Sequence, residues 1–176
     1  GATSPHSEAM PAVTLTAYDA GLHGSELQRW LRAPHVTQWW GETTLADALG
    51  SAAPRDVRMI SADARPVGFL RWHVLTRHEL DEAGLTEITA GGVDLDLLIG
   101  VSELLGQGIG TRALALAIDE ITAALRPPFF SLCTETANLR ALRCYQKSGF
   151  RIVCEFVELG KSHYFLTRSA MTAPKD

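Results

Sequence analysis

Val93-Asp94-Leu95-Asp96-Leu97-Leu98-Ile99, then Leu105-Gly106-Gln107-Gly108-Ile109-Gly110, then an alanine-rich apolar run to Leu125 stopped by Pro127-Pro128, is the stretch that orders the rest of the chain. The first segment alternates as a strand, and the last has the period of a helix with Leu114, Ile118, Ile121 and Leu125 on one stripe. Between them, glycines at 106, 108 and 110 remove the Cβ atoms that would keep a bound group away from the backbone. The first turn of a helix has N–H groups without intrahelical partners and a partial positive charge. A strand, a glycine turn and a helix N-terminus together form a seat for a pyrophosphate. Two readings stay open on these residues alone: a nucleotide-type cofactor, or a tight turn whose glycines serve geometry only. A Gly-Lys-Ser/Thr phosphate loop is absent, because Thr111-Arg112 follow Gly110. The spacing also lacks the later glycine of a dinucleotide fingerprint, and no alternating βαβ series follows.

A chain of 176 residues with 46% apolar and 20% charged residues suits one folded domain. We place it at 12–170, between an irregular start (1–11, with Gly1 an expression remnant) and a tail (171–176). No apolar run approaches the ~18 residues of a membrane helix, and no secretory signal is read. Cys133, Cys144 and Cys154 are odd in number and lack metal-ligand spacing, so reduced thiols in a cytoplasmic protein without a metal are expected. The net charge of −4 argues against nucleic acid as a partner. From His78 to Glu103 there are seven acids (Glu79, Asp81, Glu82, Glu87, Asp94, Asp96, Glu103) and no Lys or Arg. The other 13 acids face all 16 basic residues, so the remainder is near +3. That concentration is either a solvated acidic loop or a field that attracts a cationic ligand.

Outward from the centre, Val13–Ala17 reads as a strand, and Ser25 as the cap of a helix to about Ala33 that Pro34 stops. Trp39 and Trp40 are adjacent and cannot both point inward, so one packs while the other borders a cleft, unless both are core beside a turn. Thr43 or Thr44 starts a short helix to Leu49. Val57–Ser61 and Pro66–Leu75 are predicted strands, and Thr76–Gly92 a long connection. Phe129–Thr134 is a strand; Asn138 caps a helix over Leu139–Ser148 with Gly149 in its left-handed closing position. Phe150–Val157 and His163–Thr167 finish as strands about a turn at Gly160-Lys161, and the chain frays from Ser169.

The later helix reads Asn138-Leu139-Arg140-Ala141-Leu142-Arg143-Cys144-Tyr145-Gln146-Lys147-Ser148-Gly149-Phe150. Following the glycine turn in this order, it resembles the GCN5-related N-acetyltransferase (GNAT) superfamily, in which Asn-x-x-Ala-x-x-x-Tyr-x-x-x-Gly-Phe comes after the acetyl-CoA loop. His35-Val36-Thr37-Gln38-Trp39-Trp40-Gly41, Asp96-Leu97-Leu98-Ile99-Gly100 and Arg143-Cys144-Tyr145 extend the resemblance to the aminoglycoside 6′-N-acetyltransferase branch, over Val13 to Thr167. The resemblance implies an α/β (α+β) fold: a mixed, mostly antiparallel sheet flanked by helices, whose splayed parallel strands hold acetyl-CoA. It places the pyrophosphate on Gln107, Gly108, Ile109, Gly110 and Thr111, the pantetheine arm on Asn138, and the CoA sulfur near Tyr145. Ile99 and Val101 border the thioester. Asp96 takes the place of the branch's base, and Trp39, Trp40 and Glu42 border the antibiotic.

The chemistry fits that placement. A protonated amine cannot attack a thioester, so a carboxylate such as Asp96 must take its proton, directly or through water. Strand N–H groups near Ile99 to Val101 suit the developing oxyanion, and Tyr145 can protonate a departing thiolate. Asp81, Glu82, Asp94 and Glu135 complete the expected surroundings of a cationic amino sugar, with Asp94 in a supporting or structural role. The expected protein is an acetyl-CoA-dependent N-acetyltransferase conferring resistance to an aminoglycoside, by its 6′-amine or a 2′-amine of a kasugamycin-type drug. It works as a monomer or homodimer. A polyamine or protein N-terminal acceptor, or a non-catalytic acetyl-CoA-binding domain, is the alternative. Departures from the branch fall mostly on the acceptor side. Cys133 replaces the usual Asp five residues before Asn138, Arg71 stands where an uncharged polar residue is common, and the acidic loop lacks tryptophan. Leu105 replaces the Gln or Arg that often begins the superfamily's loop.

Overall fold

The structure is a computed structural model that describes residues 9–50 and 52–170. The predicted start is therefore described only from residue 9, and the predicted tail lies outside the described residues. Seven strands form one sheet: β1 (Val13–Ala17), β2 (Val57–Ala62), β3 (Arg65–Val74), β4 (Val93–Ile99), β5 (Phe129–Glu135), β6 (Arg151–Glu158) and β7 (Lys161–Ser169). Their order is β1-β2-β3-β4-β5-β7-β6, and every pair is antiparallel except β4 with β5. The helices are α1 (Ala20–Trp30), α2 (Pro34–Trp40), α3 (Leu45–Leu49), α4 (Arg77–Glu82), α5 (Ile109–Leu125) and α6 (Leu139–Lys147). None is long and apolar enough to cross a membrane among the described residues.

Strand alternation divides the core in two. Val93, Leu95, Leu70, Trp72, Phe130, Leu132 and Leu166 point to one face and are buried under α5 and α6 by Leu114, Ala117, Ile118, Ile121 and Tyr145. On the opposite face, Phe69 and Leu98 pack under α1–α3 with Leu27, Trp30, Leu31 and Val36. Farther along that face, Phe165 is covered by Leu80 and Leu85 from α4 and the turn after it. Between these two covers, the Asp96 end of β4 lies open to a cleft.

Several predicted boundaries move, each for a local reason. α1 begins at Ala20, not after Ser25: the Asp19 carboxylate accepts from Leu22 N at 3.0 Å and caps it. Helix start signals are hard to read there because Gly21 and Gly24 lower helical propensity. Pro34 does not stop a helix but opens α2 near its first position, where its missing N–H costs nothing. The Thr76–Gly92 connection contains α4, held by a capping box in which Thr76 and Glu79 side chains bond each other's backbone N–H. Leu125 lies at the end of α5 and is 52% exposed, so the buried stripe is completed by Ile109 and Ala113 at the start instead. The last hairpin turns at Leu159-Gly160, both with left-handed φ, so β7 begins at Lys161 and Ser169 pairs with Phe129 instead of fraying. Thr44, not Thr43, caps α3 by accepting from Asp47 N. The cap by Asn138, which accepts from Ala141 N, and the left-handed Gly149 are as predicted.

Candidate active site

β4 and β5 are paired only at Val93↔Phe130 and Asp94↔Ser131; beyond those registers they diverge. The opening is a cleft of about 800 Å³. Asp96, Leu97, Leu98 and Ile99 form one wall, and Cys133, Thr134 and Glu135 the other. β3 holds the other edge of β4, since Gly100 N donates to Val67 O at 2.7 Å and the register runs on to Val74↔Val93. Strand alternation then aims the N–H groups of Leu97 and Ile99 into the splay. The Ile99 carbonyl, also on that side, accepts from His35 Nε2 at 2.9 Å. That bond ties the start of α2 to the cleft wall.

At one end of the opening lies the glycine turn. Gly106 and Gly108 have φ of +75° and +77°, a conformation that favours glycine. Gly108 is the N-cap of α5 and no side chain caps the helix, so the first-turn N–H groups await an acceptor. A Cβ on Gly110 would stand 3.2 Å from Cys144 Sγ, so this turn of α5 passes close against α6. Gln107 directs its side-chain amide back to Glu103 O and contributes only backbone. Gly108, Ile109, Gly110, Thr111, Asn138 and Tyr145 all line the same cleft, whereas Gln107 and Val101 stand outside its lining. An open glycine loop at an uncapped helix start is a donor set suited to a diphosphate, so these residues fit a CoA-type ligand.

The other end carries the charged side chains. On β4, Asp94 and Asp96 point to the same face, opposite His73 and Arg71 of β3. Arg71 pairs with Asp96, its Nε 3.2 Å from Oδ2. His73 turns instead to Glu79 of α4 at 3.0 Å. Asp94 is therefore left with a hydroxyl partner: Ser131 Oγ donates to its Oδ1 at 2.6 Å. Burial, reinforced by Asp96, pushes Asp94 well above the usual carboxylate range, against the lowering effect of the Ser131 bond. Asp94 does not line the cleft; Asp96 does. Burial together with Asp94 and Asp96 raises the Cys133 thiol well above its ordinary value, so it faces the cleft as a neutral group. Tyr145 is buried against the first core, and burial, with Cys144 and Asp96, lifts its phenol far above the ordinary value. Its hydroxyl holds its proton throughout the physiological range.

Both tryptophans of α2 line the cleft, half-buried, and Trp40 also packs on Phe69 with ring centroids 6.0 Å apart. Glu135 is in the lining with its side chain 15% exposed and 3.6 Å from Lys161 Nζ. Glu42 is exposed outside the lining. Asp81 and Glu82 lie on the outer side of α4, paired with Arg77 and His78. The structure also brings in groups that sequence reading left aside: His35, Leu97, Thr134, Glu158 and His163 all line the cleft. Of these, His35 and Leu97 had a visible signal, their places in segments that carry the family resemblance.

Residues 19–157 match the acetyltransferase (GNAT) domain family. The chain belongs to the GNAT acetyltransferase family. Among curated relatives, it is similar to the aminoglycoside N(6′)-acetyltransferase type 1 of Klebsiella pneumoniae, 28% identical over 142 residues that span 70% of this chain and 67% of the relative. Among solved structures, it resembles aminoglycoside acetyltransferase AAC(6′)-Ib in complex with coenzyme A and kanamycin, with a TM-score of 0.74, 22% identity, and 90% and 95% of the two chains covered. The aminoglycoside N(6′)-acetyltransferase of Legionella pneumophila superposes with a TM-score of 0.66 at 18% identity, covering 94% and 96%. The GNAT sheet with its parallel β4 and β5 is thus shared with these structures.

Proposed function

We propose that this GNAT chain transfers an acetyl group from acetyl-CoA to an amino group of an aminoglycoside. The observation that carries the reading is the single splay between β4 and β5, with an uncapped glycine-flanked helix start at one end and the Asp96 carboxylate at the other. The similarity to relatives named for 6′-acetylation supports an amino sugar as acceptor. The amine is the 6′-group, or the 2′-group of a kasugamycin-type drug.

Acetyl-CoA would supply the acetyl group already activated as a thioester. The N–H groups at the start of α5 would hold its diphosphate, and Asn138, in the same cleft lining, would meet its pantetheine arm. The inward N–H groups of Leu97 and Ile99 offer donors to a carbonyl oxygen that gains negative charge. Asp96 attracts the acceptor's ammonium and takes its proton, because only the free amine is a nucleophile. Tyr145 holds a proton at the protein end of the cleft, where it would protonate a departing thiolate. Trp39 and Trp40 form the apolar border for the sugar. Acetylation removes a positive charge from the drug, which weakens its hold on RNA phosphates.

The test is release of free thiol from acetyl-CoA with kasugamycin, kanamycin, spermidine and a peptide in parallel. Thiol release that requires an aminoglycoside supports the reading. Equal or greater turnover on spermidine or the peptide overturns the acceptor class, and binding of acetyl-CoA without turnover on any amine leaves a non-catalytic domain.

A further inference from the structure

We infer that Arg71 selects an acceptor that carries a carboxylate within reach of its reactive amine; the inference rests on the acetyltransferase reading of this cleft. Arg71 is the one basic side chain of β3 among the cleft-lining residues, and it lies on the acceptor side. A cleft meant only for a polycation gains nothing from a fixed guanidinium on its wall, since like charges repel. Yet the position of Arg71 is built. Its Nη1 donates to Asp47 O at 3.2 Å, and a Cβ on Gly50 would stand 2.3 Å from Nη1, so the end of α3 leaves room for it. Its Nε donates to Asp96 Oδ2 at 3.2 Å through a single bond. Among the described residues nothing accepts from Nη2, and that atom is not among the buried polar atoms without partners, so it remains open to a ligand.

The pair sets a condition on the acceptor. While Arg71 holds Asp96, the carboxylate that must receive the ammonium is already engaged with a cation. An acceptor with amines alone has to compete with Arg71 for Asp96 and leaves the guanidinium without a counterion. An acceptor that also bears a carboxylate offers Arg71 a planar, two-bond partner, which guanidinium groups prefer to a single bond. Arg71 then shifts its charge to the ligand, and Asp96 is released to the amine. The ligand class is a zwitterionic amino sugar, with the acid group on the Arg71 side and the amine at Asp96.

The experiment compares kasugamycin, whose amino sugar carries an amidine-linked carboxylate, its methyl ester, and kanamycin, which has no acid group. Wild type and Arg71→Gln are assayed for thiol release, and ligand binding is measured by calorimetry. A charge-assisted bidentate contact is worth about 10- to 100-fold in affinity. Wild type should therefore favour kasugamycin over its ester by that factor, and Arg71→Gln should lose the preference through KM. Equal loss on all three acceptors assigns Arg71 to holding Asp96 in place and overturns the inference, as does a wild type that handles ester and acid alike. Failure of thiol release with every amine would sink the acetyltransferase reading instead. In that case calorimetry still decides: kasugamycin bound in an Arg71-dependent way upholds the inference, and no binding overturns it.

Discussion

Asp94→Asn separates the two carboxylates of β4 by their pH behaviour. Asp94 is buried, faces the Asp96 and Glu79 carboxylates, and is pushed well above the ordinary range. Arg71 bonds Asp96, and His73, its cross-strand neighbour, bonds Glu79. The folded chain thus keeps the Asp94 proton at pH values where the unfolded chain, titrating near 3.9, has lost it. The unfolded state binds fewer protons in that window, so this group's contribution to stability falls as pH rises from the unfolded value to the raised folded one. While one full proton separates the states, the slope is about 1.4 kcal/mol per pH unit. For a chain of this size that corresponds to roughly 3–5 °C of Tm per unit. The asparagine side chain is a neutral isostere whose carbonyl oxygen can still accept from Ser131. The expected result, from thermal melts of both proteins between pH 4 and 8, is a variant that gains on wild type as pH rises above the unfolded carboxylate value. Parallel melting curves would refute the argument. So would a loss of about 3–5 kcal/mol in the variant, the signature of removing a charged partner from a buried pair.

Other substitutions test the remaining roles. Asp96→Asn should lower kcat by roughly 10²–10⁴-fold, the range for a positioned base, while acetyl-CoA still binds; wild-type turnover would remove Asp96 from the mechanism. Tyr145→Phe keeps the aromatic packing of the first core, so it should slow transfer with little change in Tm or in acetyl-CoA affinity; lost affinity would make Tyr145 a packing residue only. Gly108→Ala forces a side chain into a left-handed backbone at the start of α5, so acetyl-CoA affinity should fall with about 1–2 kcal/mol of stability, and unchanged affinity by calorimetry would place the diphosphate elsewhere.

The frame of this protein was legible because its central signals are local. The alternation of Val93–Ile99, the glycine turn and the period of α5 each depend on neighbours in sequence, and so do the Asn138 cap and the left-handed Gly149. Short elements escaped for the complementary reason. α4 has six residues, too few for a period, and its stability comes from one capping box and the burial of Leu80 with Phe165. α2 was hidden by reading Pro34 as an end, when a proline serves equally as a beginning.

The site was legible in part, and the boundary runs between two residues of the same strand. Asp94 and Asp96 have the same side chain and the same face, and both precede the glycine turn. What divides them lies on other strands: β5 brings the Ser131 hydroxyl to Asp94, β3 brings the Arg71 guanidinium to Asp96, and α4 draws His73 away. Sequence shows two acids on a half-buried face, but not which one will be closed off and which will open onto the splay. The divergence of β4 from β5 after Asp94↔Ser131 decides it. The acid inside the paired segment is sealed by the neighbouring strand, and the acid two residues on stands at the mouth of the gap. In the proposed reaction that position would give Asp96 access to an incoming amine, and it would make Arg71, bonded to Asp96, the group an acceptor meets there.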